Sequence, residues 1–218
     1  MTIPGKQILL AAAAGLAAFA AGAGAHAAPP PSIYDRWQQV AMPAPPPLKP
    51  VRIVPGETAL LILDMNAVNC AKRPTCVTSV PSVKRLLGQA RAHGMPVIYS
   101  AGAAGSTTPP EPPAEIAWQK GEPLVRAPVD KFIGGELERI LAERKVKTLL
   151  VCGTSAEGAV LHTAVSGALR GFNAVVPVDC YSSVEPFAEV YTAWHLVNAP
   201  AAISRMATVT RSDLVTFP

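Results

Sequence analysis

The chain has 218 residues, a formal net charge of +4 and a composition that is 50% hydrophobic. That length, with no internal repeat, suits one domain with a sizeable core preceded by a non-core segment. The 19 basic residues are interspersed with 15 acidic ones instead of forming a stripe, which argues against a nucleic-acid partner.

Lys6 is the only charged residue before Asp35, and an apolar run from Ile8 to Ala21 leads to Ala25-His26-Ala27. A basic start, an apolar middle and a small-x-small end are the marks of a cleaved signal peptide. Residues 1–27 are therefore expected to be removed, leaving no membrane anchor. An apolar run of about 14 residues is also short against the roughly 20 a spanning helix needs. The expected location is periplasmic or secreted. Residues 28–55 are proline-rich and lack helical or alternating periodicity, so they read as an extended arm or linker. Tyr34 and Trp37 interrupt that character, as residues able to pack the arm onto a domain or partner.

From residue 56 to 218 strand and helix patterns alternate. "TALLILD" (58–64) is a continuous apolar run of strand length, as in a parallel sheet covered on both faces. In 79–94, Val83, Leu86, Leu87 and Ala90 fall on one helical face and Gly94 supplies the stop. "PVIYS" (96–100) is the next strand, followed by a Gly-, Pro- and Thr-rich loop (101–115) that reads as a surface loop or lid; it opens no clear helix, so it is not a phosphate loop. "GGELERILAERK" (134–145) turns Leu137, Ile140 and Leu141 inward, and "TLLVCG" (148–153) is a further buried strand. A helix over 157–170, a strand over 174–179, a helix over 185–197 and a strand near 206–211 complete the pattern. The alternation predicts a three-layer α/β/α fold with a mainly parallel, doubly wound sheet. In such folds the site lies at the carboxyl ends of the strands. That rule selects Asp64, the Gly153–Ala159 turn and Asp179.

Cys70 and Cys76 enclose a short loop containing Pro74 and are disulfide candidates in an oxidising compartment. No matching Cys or His pair follows them, which disfavours a metal. Cys152 and Cys180 come from the ends of consecutive predicted strands, so they can approach one another; the sequence leaves their state open.

"ALLILDMN", then "KFIGGEL", then "LLVCGTSAEGAVLHTAVSGALRGFNAVVPVD" resemble the isochorismatase-like, or cysteine hydrolase, superfamily, which includes nicotinamidases, over about residues 57–211. The resemblance implies an Asp, a Lys and a Cys as catalytic residues in its amide-cleaving members. Asp64 falls at the general acid/base position. The lysine position lands on Arg126, six residues before Phe132, while Lys131 lies five positions late and requires a shifted loop. The cysteine position is Ala159, whose methyl cannot attack a carbonyl. The resemblance further implies an oxyanion hole from the backbone N–H groups of Ser155 and Ala159, with Thr154–Ser155 as the candidate cis bond; backbone donors survive side-chain replacement. Residues 65–96 lack the Asp/His cluster of nicotinamidase-like members, so neither a metal nor another cofactor is expected. Ser155 is the best-placed substitute nucleophile but has no evident base among His93, His162 and His195.

Two functional classes follow. One is an exported, cysteine-independent hydrolase of a small anionic molecule, with Asp64 as acid/base and Arg126 or Lys131 gripping the substrate; isochorismatases proper, which the resemblance implies also lack the cysteine, are its precedent. The other is an inactive relative that binds a small molecule or supports a partner. Self-association through the site face is open under both.

Overall fold

The computed structural model describes residues 29–103, 105–106 and 110–218; the signal-peptide assignment lies outside them. Two compact units divide at Met42 and Pro43. In the first, Tyr34–Gln39 forms a short 3-10 helix with no buried residue, and Tyr34 and Trp37 are exposed.

The second unit carries strands β1 (Val51–Arg52), β2 (Thr58–Leu63), β3 (Val97–Ala101), β4 (Leu124–Arg126), β5 (Thr148–Thr154), β6 (Asn173–Pro177), β7 (Tyr181–Ser182), β8 (Ala207–Thr210) and β9 (Val215–Thr216). Its helices are α1 (Ala67–Ala71), α2 (Pro74–Ala92), α3 (Glu136–Glu143), α4 (Leu161–Leu169), α5 (Pro186–Asn198) and α6 (Ala202–Met206). The seven-stranded sheet runs β4-β3-β2-β5-β6-β8, with β7 added against the end of β5. Every pairing in it is parallel.

Alternation along the strands divides the core into two layers. Leu60 and Ile62 of β2, with Leu150 and Cys152 of β5, pack against Val83, Leu86, Leu87 and Ala90 of α2. Leu61 and Leu63, with Leu149 and Val151, face Leu137, Ile140 and Leu141 of α3, Leu161 and Ala164 of α4, and Leu196 of α5. Successive side chains of a strand point to opposite faces, so a run apolar at every position needs helices on both sides. Fully burying each such side chain contributes about 1.5–3 kcal/mol.

The expected strands and helices are present, with differences at their ends and among the short elements, of which α1 and α6 were not expected. Helix α2 begins at Pro74, five residues before the expected start at 79, because Pro74 sits at its first turn, where the missing N–H costs nothing; Pro81 then lies inside the helix. Strand β4, inside the segment after the loop, has no sequence signal beyond Leu124 and Val125. The short pairs β1–β9 and β5–β7 are too brief for periodicity to register.

Candidate active site

Asp64 follows the last residue of β2 and has a φ of 52°, a left-handed conformation that Asp tolerates better than most residues. The turn brings its carboxylate over β3, where the Ser100 hydroxyl donates to Oδ1 at 2.8 Å. The Asn69 side-chain amide donates to the Asp64 carbonyl at 3.0 Å, which ties the turn to α1.

Lys131 supplies the second charge. Its Nζ donates to Asp64 Oδ2 at 2.7 Å, to the Pro128 carbonyl at 2.7 Å and to the Ala127 carbonyl at 3.2 Å. An ammonium has three protons to donate, and all three are thereby used. The Lys131 side chain is 1% exposed and that of Asp64 17%. The loop is held from α4: Lys131 N–H donates to Thr163 Oγ1 at 3.2 Å, and Ser166 Oγ donates to Asp130 Oδ2. Asp130 Oδ1 accepts from the Phe132 N–H at 2.9 Å. The loop from Ala127 to Phe132, held on α4, thus places the lysine against Asp64.

Arg126 corrects the expectation from spacing. Val125 and Ala127 belong to the layer containing Leu63 and Ala159, so alternation directs Arg126 between them to the other side. Its side chain is exposed and has no hydrogen bond or ion pair among the described residues. The three donors of Lys131, by contrast, are all met within the protein. Asp179 is a further correction: its carboxylate accepts from Ser82 Oγ at 2.9 Å, from Ser212 N–H at 2.8 Å and from Ser212 Oγ at 2.6 Å. It joins α2 to the C-terminal segment instead of entering the site.

Beside the charged pair, β5 ends at Thr154, the Thr154–Ser155 peptide is cis, and Ala156–Val160 turn into α4 with a kink at Gly158, whose φ of -98° and ψ of -108° are not helical. Ser155 and Gly158 approach closely: a Cβ on Gly158 would lie 2.5 Å from Ser155 Oγ and 3.9 Å from a methyl of Val129. Thr154 is fixed by β7, its Oγ1 accepting from Ser182 Oγ at 2.8 Å and donating to the Ser182 carbonyl at 3.2 Å. Glu157 accepts from Ser183 Oγ at 2.7 Å. Ala159 is 4% exposed.

No thiol faces this turn: Cys152 and Cys180 are buried in the layer against α2. The histidines among the described residues are also accounted for. His93 contacts the Gln89 and Pro218 carbonyls, His195 meets the Tyr191 hydroxyl, and His162 is exposed. Cys70 and Cys76 bring their sulfurs together, with Cα atoms 5.0 Å apart. Among the described residues no group of three or more His, Cys, Asp and Glu is arranged to hold a metal ion, and no helix is long and apolar enough to cross a membrane.

Residues 58–213 match the family model described as the Isochorismatase domain. The chain belongs to the isochorismatase family. Over 131 residues this isochorismatase-family chain is 30% identical to N-carbamoylsarcosine amidase of Arthrobacter sp., covering 48% of its own length and 49% of the relative's; it thus spans about half of that relative. Among solved structures, a cysteine hydrolase from Pseudomonas syringae pv. phaseolicola superposes with a TM-score of 0.65 at 22% identity, over 77% of this chain and 94% of that one. An N-carbamoylsarcosine amidase from Thermoplasma acidophilum gives 0.62 at 22% identity, over 72% and 97%. These superpositions establish the fold.

Proposed function

We propose that this isochorismatase-family protein is an exported hydrolase of a small molecule that works without a side-chain nucleophile. The observation that carries this reading is the Asp64–Lys131 pair, 2.7 Å apart, beside the turn that contains Ala159, the position the resemblance assigns to the family cysteine. Asp64 is the acid/base: its carboxylate is the partly exposed member of the pair, and proton transfer needs such a group within reach of the reacting atom. Lys131 holds Asp64 in position. The backbone N–H groups of Ser155 and Ala159 receive a carboxylate or carbonyl oxygen of the substrate, a role that needs no side chain. Anion recognition therefore rests on these amides, since neither Arg126 nor Lys131 is available for it. The amidase relative supports hydrolysis as the reaction type and leaves the bond cleaved to experiment.

The full occupation of the Lys131 donors also favours a second reading, in which the pair is a static support and the turn binds a small anion without converting it. Incubation of the protein with a broad extract of small metabolites, followed by mass spectrometry, separates the two. A charge-neutral variant, Asp64→Asn with Lys131→Met, serves as control because it removes both charges together. A compound consumed by the parent and untouched by the variant supports the hydrolase. Consumption by both overturns the role of Asp64, and retention of a compound without change establishes the binding protein.

Export and the Cys70–Cys76 disulfide belong to the same proposal. N-terminal sequencing of the protein recovered from the periplasm or medium should begin at Ala28. Closing so short a loop contributes on the order of 2 kcal/mol by chain entropy.

A further inference from the structure

Cys152 and Cys180, which are free in the structure, lie together. Strands β5 and β7 are parallel, with Gly153 opposite Tyr181 and Thr154 opposite Ser182; one residue back, that register sets Cys152 beside Cys180. The Gly153 N–H donates to the Cys180 carbonyl at 2.9 Å, so the backbones are already joined at this level. Both thiols are 0% exposed and belong to the same layer, against α2. Burial first, and then the adjacent Cys152 thiol, push the Cys180 thiol well above the ordinary thiol range. Neighbouring strands are spaced about 4.7–4.9 Å apart, within the roughly 4.4–6.8 Å that a disulfide spans between Cα atoms.

We propose that Cys152 and Cys180 form a disulfide that anchors β7 to β5 directly below the Thr154–Ser155 turn. The chemistry is exchange with a disulfide donor: the two thiols give up two protons and two electrons, one S–S bond forms, and the donor disulfide is reduced to two thiols. Because both sulfurs are enclosed in the finished fold, exchange takes place on the chain before β7 closes onto β5. The bond acts on the turn through two contacts, the paired hydrogen bonds between Thr154 and Ser182 and the hold of Ser183 on Glu157. It stands whether or not the protein turns a substrate over.

The test is a thiol count. The chain is refolded from denaturant in a buffer of reduced and oxidised glutathione, unfolded in excess iodoacetamide without reductant, digested and mapped by mass spectrometry. The expected result is no alkylated cysteine and a linked peptide joining Cys152 to Cys180, which persists in a Cys70→Ser, Cys76→Ser variant. Alkylation at both Cys152 and Cys180, or linkage of either to Cys70 or Cys76, overturns the bond. Hydrogen exchange at the Gly153 amide tests the anchoring: the oxidised protein should exchange at least ~10-fold more slowly than a Cys152→Ser, Cys180→Ser variant, since a cross-link raises the cost of local opening. Equal rates would remove the anchoring role.

Discussion

Lys131 Nζ lies 2.7 Å from Asp64 Oδ2, with the lysine side chain 1% exposed and the aspartate 17%. That difference in burial decides which charge suffers more when its partner is removed. Removing one member of a buried ion pair costs about 3–5 kcal/mol, because the remaining charge is left uncompensated away from water. Asp64→Asn strands the deeply enclosed ammonium and should fall at the upper end. Lys131→Met leaves a carboxylate that still reaches solvent and accepts from Ser100, and should fall at the lower end. The double substitution should cost less than the two single ones summed, as measured by urea unfolding of all four proteins.

Arg126→Ala should leave the protein unchanged, with stability within about 0.5 kcal/mol of the parent and no change in the consumption of any compound the parent turns over. Thermal melting and the metabolite assay check this together. A loss of turnover would restore Arg126 as the counterpart of the family lysine.

Gly153 lies where β5 passes β2 at close range. A Cβ there would sit 2.5 Å from the Leu63 carbonyl oxygen and 2.6 Å from Leu63 Cβ, at a φ of 153°. These neighbours are backbone and a packed strand residue, with no flexible end to yield. Gly153→Ala should therefore cost about 3 kcal/mol, the upper range of overpacking, and displace both Asp64 and the Ser155 turn. Denaturant titration gives the cost.

Asp130 should prove a support for Lys131 that a stability measurement can detect. Its two oxygens hold the Phe132 N–H and Ser166 Oγ, and hydrogen bonds to a charged group contribute about 1.5–3 kcal/mol each. Asp130→Ala should destabilise by at least about 3 kcal/mol and raise the labelling of Lys131 by an amine-reactive reagent; unchanged labelling would show that the loop is held without it.

Alkaline pH should destabilise the fold through Tyr99 and Tyr181, whose phenols burial pushes well above their ordinary range. Their hydroxyls stay protonated in the native state, bound to the carbonyls of Ile116 and Glu189 respectively. Once the pH exceeds about 10, the unfolded chain releases these protons and the folded one retains them, so stability is complete below that pH and declines above it. Unfolding followed at fixed urea from pH 8 to 11 should show the decline, and a Tyr99→Phe, Tyr181→Phe variant should flatten it.

Most of the layered fold is legible from local pattern. Continuous apolar runs such as Thr58–Leu63 require cover on both faces, and the helical spacing of Val83, Leu86, Leu87 and Ala90 names the covering face. Short elements such as β4 and β7 escape because two or three residues carry no period. At the candidate site, Asp64 is legible as a carboxylate ending an apolar strand, while the parts given to Ser155 and Ala159 rest on the resemblance and belong to the proposal. Spacing left Arg126 and Lys131 both open, since a count along the chain cannot show which of them the loop turns toward Asp64. Asp179 met the strand-end rule and was nonetheless taken up by Ser82 and Ser212, partners distant in sequence.

The sequence by itself determined the order of strands and helices, the apolar faces that join them and the small set of polar residues at the strand ends, because those features depend on neighbours within a few positions. The tertiary structure decided which of those residues meet. Lys131 reaches Asp64 across 67 positions of sequence, and Cys152 comes to lie beside Cys180, because the parallel register and the loop anchored on α4 fix distances that no local pattern encodes.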